Sequence, residues 1–163
     1  MLSPDRPTGV LFVCLGNICR SPVAEGLFLH HASERGVVDR FRVDSCGTGH
    51  WHIGKPPHDG SRAVARSHGV RLPSIARQLD ADLDFDRFDW LIAMDRANEM
   101  DLLDAGAPAD RVRLLRSFDP ALQGQSGRAL DVPDPYGEGA DAFERMWKTI
   151  EPGCLGLLDW LDA

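Results

Sequence analysis

Apolar positions along the chain fall into short unbroken runs separated by stretches of helical spacing. Val10–Val13, Phe41–Val43, Trp90–Met94 and Val112–Leu115 are short and partly β-branched, which predicts strands. Between them, Val23–Arg35, Ser61–His68 and Ala97–Ala105 carry helical patterns. A last helix is predicted over Ala140–Leu161, where Phe143, Met146, Trp147, Ile150, Cys154, Leu157, Leu158 and Leu161 recur on one face. Pro152-Gly153 should kink or briefly interrupt it. Strands alternating with helices imply βαβ units and a parallel sheet covered on both faces, an α/β fold. Gly47–Asp59 and Ser117–Gly139 are rich in Gly and Pro and read as long loops, and loops after strands build the site in such folds. Asp80, Asp82, Asp84 and Asp86 alternate along a predicted solvated loop.

Composition narrows the picture. A chain of 163 residues suits one domain, read here as residues 9–163 after a disordered tail at 1–8 that holds Asp5, Arg6 and two prolines. A net charge of -7 disfavours a general nucleic-acid binder, while leaving room for a local phosphate cradle. The Val10–Leu15 run is too short for a signal segment, and nothing approaches a membrane span, so the expected location is the cytoplasm with no membrane partner. The four cysteines, Cys14, Cys19, Cys46 and Cys154, are expected as reduced thiols. No C-x-x-C pair or zinc-type spacing occurs, so no metal and no cofactor are expected.

Cys14-Leu15-Gly16-Asn17-Ile18-Cys19-Arg20-Ser21 holds the candidate chemistry. A strand that ends on a cysteine and turns through a short loop into a helix converges amides and a helix N-terminus on one point, which favours a bound oxyanion. The same field favours a thiolate at Cys14. Arg20 can add a planar fork matched to phosphate oxygens. Ser21 fits an N-cap and Pro22 the first helical position, while Glu25 falls one place too far on for a capping box. Gly16 and Asn17 are the loop residues best able to take a left-handed backbone.

Val13–Pro22 closely resembles the signature loop of low-molecular-weight protein tyrosine phosphatases. Asp44-Ser45-Cys46-Gly47-Thr48 with Trp51, Ala76-Arg77-Gln78-Leu79, and Val132-Pro133-Asp134-Pro135-Tyr136 resemble three further segments of that family, so the likeness spans nearly the whole chain. The resemblance implies a three-layer sandwich with a four-stranded parallel sheet and a metal-free, two-step mechanism on phosphotyrosine proteins. In it Cys14 attacks phosphorus, and Arg20 with the amides of Leu15, Gly16, Asn17, Ile18 and Cys19 holds the phosphate oxygens. Asp134 serves as general acid and then base. It further implies that Ser21 donates to the thiolate, that Asn17 pins the loop through Ser45 and His68, and that Asp95 supports the cradle. A plain N-cap at Ser21, a helix C-terminal His68 and a helix-capping Asp95 are the competing structural accounts. Trp51 and Tyr136 would wall a slot for the phenyl ring, with Gly137 where many members carry a second aromatic. Cys19 would form a reversible disulfide with Cys14, against the alternative of a small buried hydrophobe, and Cys46 and Cys154 would pack. The implied partners are phosphotyrosine proteins and a cognate tyrosine kinase, with the phosphatase itself a monomer.

Rival readings are disfavoured by particular residues. Arsenate reductases of this fold need two more cysteines mid-chain, and none lies between Cys46 and Cys154. Protein-arginine phosphatases carry Thr where Ile18 stands. A binding module without catalysis would lack Cys14 or Asp134, and a flavodoxin-like nucleotide binder lacks any glycine-rich dinucleotide or P-loop motif.

Overall fold

The computed structural model describes residues 5–163. Four strands, β1 (Thr8–Cys14), β2 (Phe41–Gly47), β3 (Trp90–Ala93) and β4 (Val112–Leu114), form one sheet in the order β2-β1-β3-β4. All pairings are parallel, with Val10 opposite both Val43 and Trp90. Strand β1 is central, and its Val10–Val13 run is fully buried because both faces are covered. Val10 and Phe12 point into one core with Val23, Leu27, Phe28 and Trp147, while Leu11 and Val13 point into the other with Phe85, Leu91 and Leu102.

The first core is roofed by α1 (Arg20–Glu34), α2 (Asp59–Ser67) and α5 (Ala140–Asp162), and the second by α3 (Ala81–Arg87) and α4 (Arg96–Asp104). The result is the expected three-layer α/β sandwich, with the loop from β1 to α1 at the carboxyl end of the sheet. Among the described residues no helix is long and apolar enough to cross a membrane.

Several expectations are corrected. The predicted tail at 1–8 overreaches: Thr8 pairs with Phe41 in β1, and Arg6 forms an ion pair with Asp89 at 2.6 Å, while residues 1–4 lie outside the described residues. The acidic stretch read as a solvated loop is helix α3. Asp80 caps it by accepting from the amides of Asp82 and Leu83. Asp84 is 1% exposed and takes two hydrogen bonds from Arg77, at 2.9 and 3.0 Å. Helix α5 runs through Pro152-Gly153 without interruption. Tertiary packing outweighs the lost hydrogen bond there. A Cβ on Gly153 would sit 2.8 Å from Leu115 Cγ, and one on Gly156 only 1.8 Å from the Phe118 carbonyl oxygen, so these glycines let the 115–118 turn lie against the helix backbone.

Candidate active site

The segment between β1 and α1 folds as a tight loop because its neighbours hold it from outside. Thr48 and Gly49 donate their amides to the carbonyls of Cys14 and Leu15, and His58 donates to that of Ile18. Among the described residues Asn17 alone of the non-glycines has a positive φ, 56°. Gly16 does not, contrary to expectation. It is needed instead for close approach, since a Cβ there would meet His52 Cδ2 at 2.9 Å.

Asn17 is 1% exposed, and its side chain organises the loop. Its Nδ2 donates to Ser21 Oγ at 2.8 Å and to Ser45 Oγ at 3.0 Å, and its Oδ1 accepts from the Arg77 amide at 3.0 Å. His68 is not part of this network. It closes α2, lies 3.0 Å from Glu144 Oε1 and stacks on Trp147, so the helix-terminal account holds and the Arg77 backbone takes the place assigned to it.

Ser21 is not an N-cap. Helix α1 begins two residues earlier than expected, at Arg20, with Cys19 at the cap and no side-chain cap bond. Ser21 is fully buried and lies 3.0 Å from Cys14 Sγ. With Asn17 donating to its oxygen, its own hydrogen is free for the sulfur. The Asn17 amide adds a second donor to Sγ at 3.3 Å. Two donors thus converge on one sulfur.

Arg20 is 3% exposed, and its fork is divided. Nη1 donates to Asp95 Oδ2 at 2.6 Å and to the Val132 carbonyl at 2.9 Å, while Nη2 lies 3.7 Å from Asp134 Oδ2. Burial works against the charge, but Cys14, the Asp95 hydrogen bond and Asp134 outweigh it and hold the guanidinium above its ordinary value. Asp95 meets both expectations at once, since its other oxygen accepts from the Asn98 amide in a capping box of α4. The late loop is carried in by the Val132 amide bonding the Met94 carbonyl at the end of β3. This places Asp134 at the rim, 42% exposed, with Oδ1 fixed by the Tyr136 amide at 3.1 Å.

Cys14, Arg20 and Asp134 line one pocket of about 360 Å³, together with Leu15, Gly16, Ile18 and Cys19. Trp51 and Tyr136 stand at its mouth, 61% and 57% exposed. His52 completes the wall, its ring 5.7 Å from that of Tyr136, and His58 supports Tyr136 from behind at 5.9 Å. Neither histidine was expected from sequence. All four cysteines are free and buried. Burial, with Asp134 and Cys14 nearby, pushes the Cys19 thiol up to about 12, and burial raises Cys46 and Cys154 as well.

Sequence reasoning also missed Glu25. It is 4% exposed on α1, one turn after Ser21, and accepts from Ser45 Oγ at 2.5 Å. The available signal was its spacing, since a residue four places after a buried serine shares that serine's face.

Comparison with known proteins finds one family along nearly the whole chain. The sequence profile of the low molecular weight phosphotyrosine protein phosphatases matches residues 9–163. Low molecular weight protein-tyrosine phosphatase A of Mycobacterium tuberculosis is 43% identical over 157 residues, covering 96% of this chain and 93% of its own. The crystal structure of YfkJ from Bacillus subtilis superposes with a TM-score of 0.87 at 36% identity over 98% of each chain. A Drosophila arginine phosphatase superposes with a TM-score of 0.83 at 29% identity, over 94% of this chain and 98% of its own.

Proposed function

The chain belongs to the low molecular weight protein-tyrosine phosphatase family and is a protein-tyrosine phosphatase, and we propose that it works by a two-step, metal-independent displacement through a phosphocysteine. The observation that supports this most is the convergence of Cys14, Arg20 and Asp134 on one pocket from the end of β1, the start of α1 and the late loop. In the first step the Cys14 thiolate attacks phosphorus and the P–O bond to tyrosine breaks. Asp134, at the solvent-facing rim, gives its proton to the departing phenolate. In the second step the Asp134 carboxylate takes a proton from water, which attacks the phosphocysteine and releases phosphate and the thiolate. The free Nη2 of Arg20, with the amides of residues 15–20, neutralises the equatorial oxygens in both steps, the work a metal ion does in other phosphatases.

The lining of the pocket supports an aromatic ester. Ile18 is buried in its wall, and Trp51, His52 and Tyr136 form its sides, an arrangement that suits a flat ring. Gly137, with φ 82°, leaves the rim beyond Tyr136 open. The reading makes phosphotyrosine proteins and the kinase that forms them the functional partners, in the cytoplasm, with the phosphatase acting as a monomer. Cys19 is assigned as the protective thiol: a peroxide-oxidised Cys14 sulfenic acid condenses with it to a disulfide and water.

Phosphate release by wild type and Cys14→Ser from phosphotyrosine, phosphoserine and phosphoarginine peptides, without added metal, tests the reading. Selective, Cys14-dependent release from phosphotyrosine is expected. Preference for phosphoarginine would move the activity to that of the Drosophila neighbour and overturn the argument from Ile18.

A further inference from the structure

A buried hydrogen-bonded chain runs beneath the nucleophile loop and ends on a carboxylate that the chemistry above does not use. Starting at the sulfur, Cys14 Sγ meets Ser21 Oγ at 3.0 Å, Ser21 meets Asn17 Nδ2 at 2.8 Å, Asn17 meets Ser45 Oγ at 3.0 Å, and Ser45 meets Glu25 Oε1 at 2.5 Å. Asn17, Ser21 and Ser45 are each at most 1% exposed, so no bulk water competes for these bonds. The donors and acceptors along the chain are not interchangeable. An amide NH2 can only donate, so both Ser45 and Ser21 must accept from Asn17. A hydroxyl that accepts from Asn17 still has one proton to place. For Ser45 the recorded acceptor is Glu25, and for Ser21 it is the sulfur of Cys14.

We propose that Glu25 is a positioning residue for the nucleophile: its carboxyl accepts the hydrogen bond of the Ser45 hydroxyl and so locks the direction of every hydrogen bond from Ser45 through Asn17 and Ser21 to the Cys14 sulfur. The proposal rests on Cys14 being the nucleophile. Without an acceptor at position 25, Ser45 turns its proton toward another partner. Asn17 then loses a well-aligned acceptor, and the geometry that holds Ser21 on the sulfur loosens.

A purely structural role would be poorly served by this side chain. Glu25 has no ion pair among the described residues. Burial pushes its carboxyl up to about 7, with the Ser45 hydrogen bond opposing, Asp44 on β2 adding to the rise and Arg77 opposing it. A group whose ionisation is costly, set one hydrogen bond from the network of a reactive thiol, is what a functional positioning residue looks like.

The test compares Glu25→Leu, which removes the acceptor, with Glu25→Gln, which keeps one without the charge, and with Ser45→Ala, which cuts the chain one link nearer the sulfur. Turnover of a phosphotyrosine peptide is measured alongside the rate of Cys14 alkylation by iodoacetate at several pH values, which reads the thiolate without any turnover. Glu25→Leu and Ser45→Ala are expected to lower kcat about tenfold with KM unchanged, in line with losing one hydrogen bond that supports a charged group. Alkylation slows in parallel, and Glu25→Gln restores most of both. Should Glu25→Leu fail to fold, Ser45→Ala and Glu25→Gln carry the comparison. Unchanged kcat and alkylation in Ser45→Ala, or a loss in Glu25→Gln as large as in Glu25→Leu, would overturn the proposal. Cys14→Ser retaining turnover would instead overturn the nucleophile assignment beneath it.

Discussion

Replacing Glu25 by Gln should stabilise the folded protein at alkaline pH and leave it unchanged at acid pH. The carboxyl moves from an ordinary value of 4.5 to about 7 on folding, because burial outweighs the single hydrogen bond from Ser45 and the attraction of Arg77. Below about 4.5 the group is protonated in both states and contributes nothing. Above 7 it is ionised in both, and the folded state carries the whole cost of a charge held out of water. That cost grows as pH rises from 4.5 to 7 and is relieved as pH falls back through the same window. The shift corresponds to roughly 3 kcal/mol at pH 8. At 4% exposure little solvent screening reduces it. Gln fills the same space, can accept from Ser45 and carries no charge at any pH. The gain expected for Glu25→Gln is therefore about 2–3 kcal/mol at pH 8, or some 5–10 °C in Tm for a domain of this size, and close to zero at pH 4.5. Urea denaturation of both proteins across that range is the assay. Equal stability at pH 8, or a gain that does not fade as pH falls, would refute the reasoning.

Other expected outcomes follow from single contacts. Asp134→Ala should slow the first-turnover release of tyrosine from phosphotyrosine peptides by about 10²–10⁴ and that of p-nitrophenol from p-nitrophenyl phosphate much less, because the latter leaving group needs no proton; equal first-turnover losses on both would remove the acid assignment. Arg77→Ala leaves Asp84 in the core without its ion-pair partner, with only the Asp80 amide still donating to it, and should cost about 3 kcal/mol in a denaturant titration, an unchanged midpoint counting against that pairing. Gly156→Ala places a methyl against the Phe118 carbonyl oxygen and should destabilise by at least 2 kcal/mol, measured as a fall in Tm.

How far the sequence disclosed this molecule differs from element to element. The four strands were legible because a parallel sheet covered on both faces leaves apolar runs without alternation, as in Val10–Val13. The loop after β1 was legible because Cys14, Asn17 and Arg20 stand together at the spacing of the resembled signature, all within one short segment. Asp84 was misread because alternating acids look solvated, and only the fold brings Arg77 to bury one of them. Helix α5 defied Pro152 because Leu115 and Phe118 press on its glycine face, a contact far off in sequence. Glu25 escaped because its meaning lies in Ser45, a strand away, and not in its neighbours along the chain. His68 shows the converse: a resemblance placed it beneath the loop, but in this chain Trp147 and Glu144 claim it.

The central claim is that phosphate passes through Cys14. Rapid-quench kinetics of Asp134→Ala with p-nitrophenyl phosphate test it most directly, because the variant slows hydrolysis of the intermediate while leaving its formation fast. A burst of p-nitrophenol stoichiometric with enzyme, with the phosphoryl group recovered on the Cys14 peptide, is the predicted result. Linear release with no burst and an unmodified Cys14 peptide throughout turnover would contradict the account.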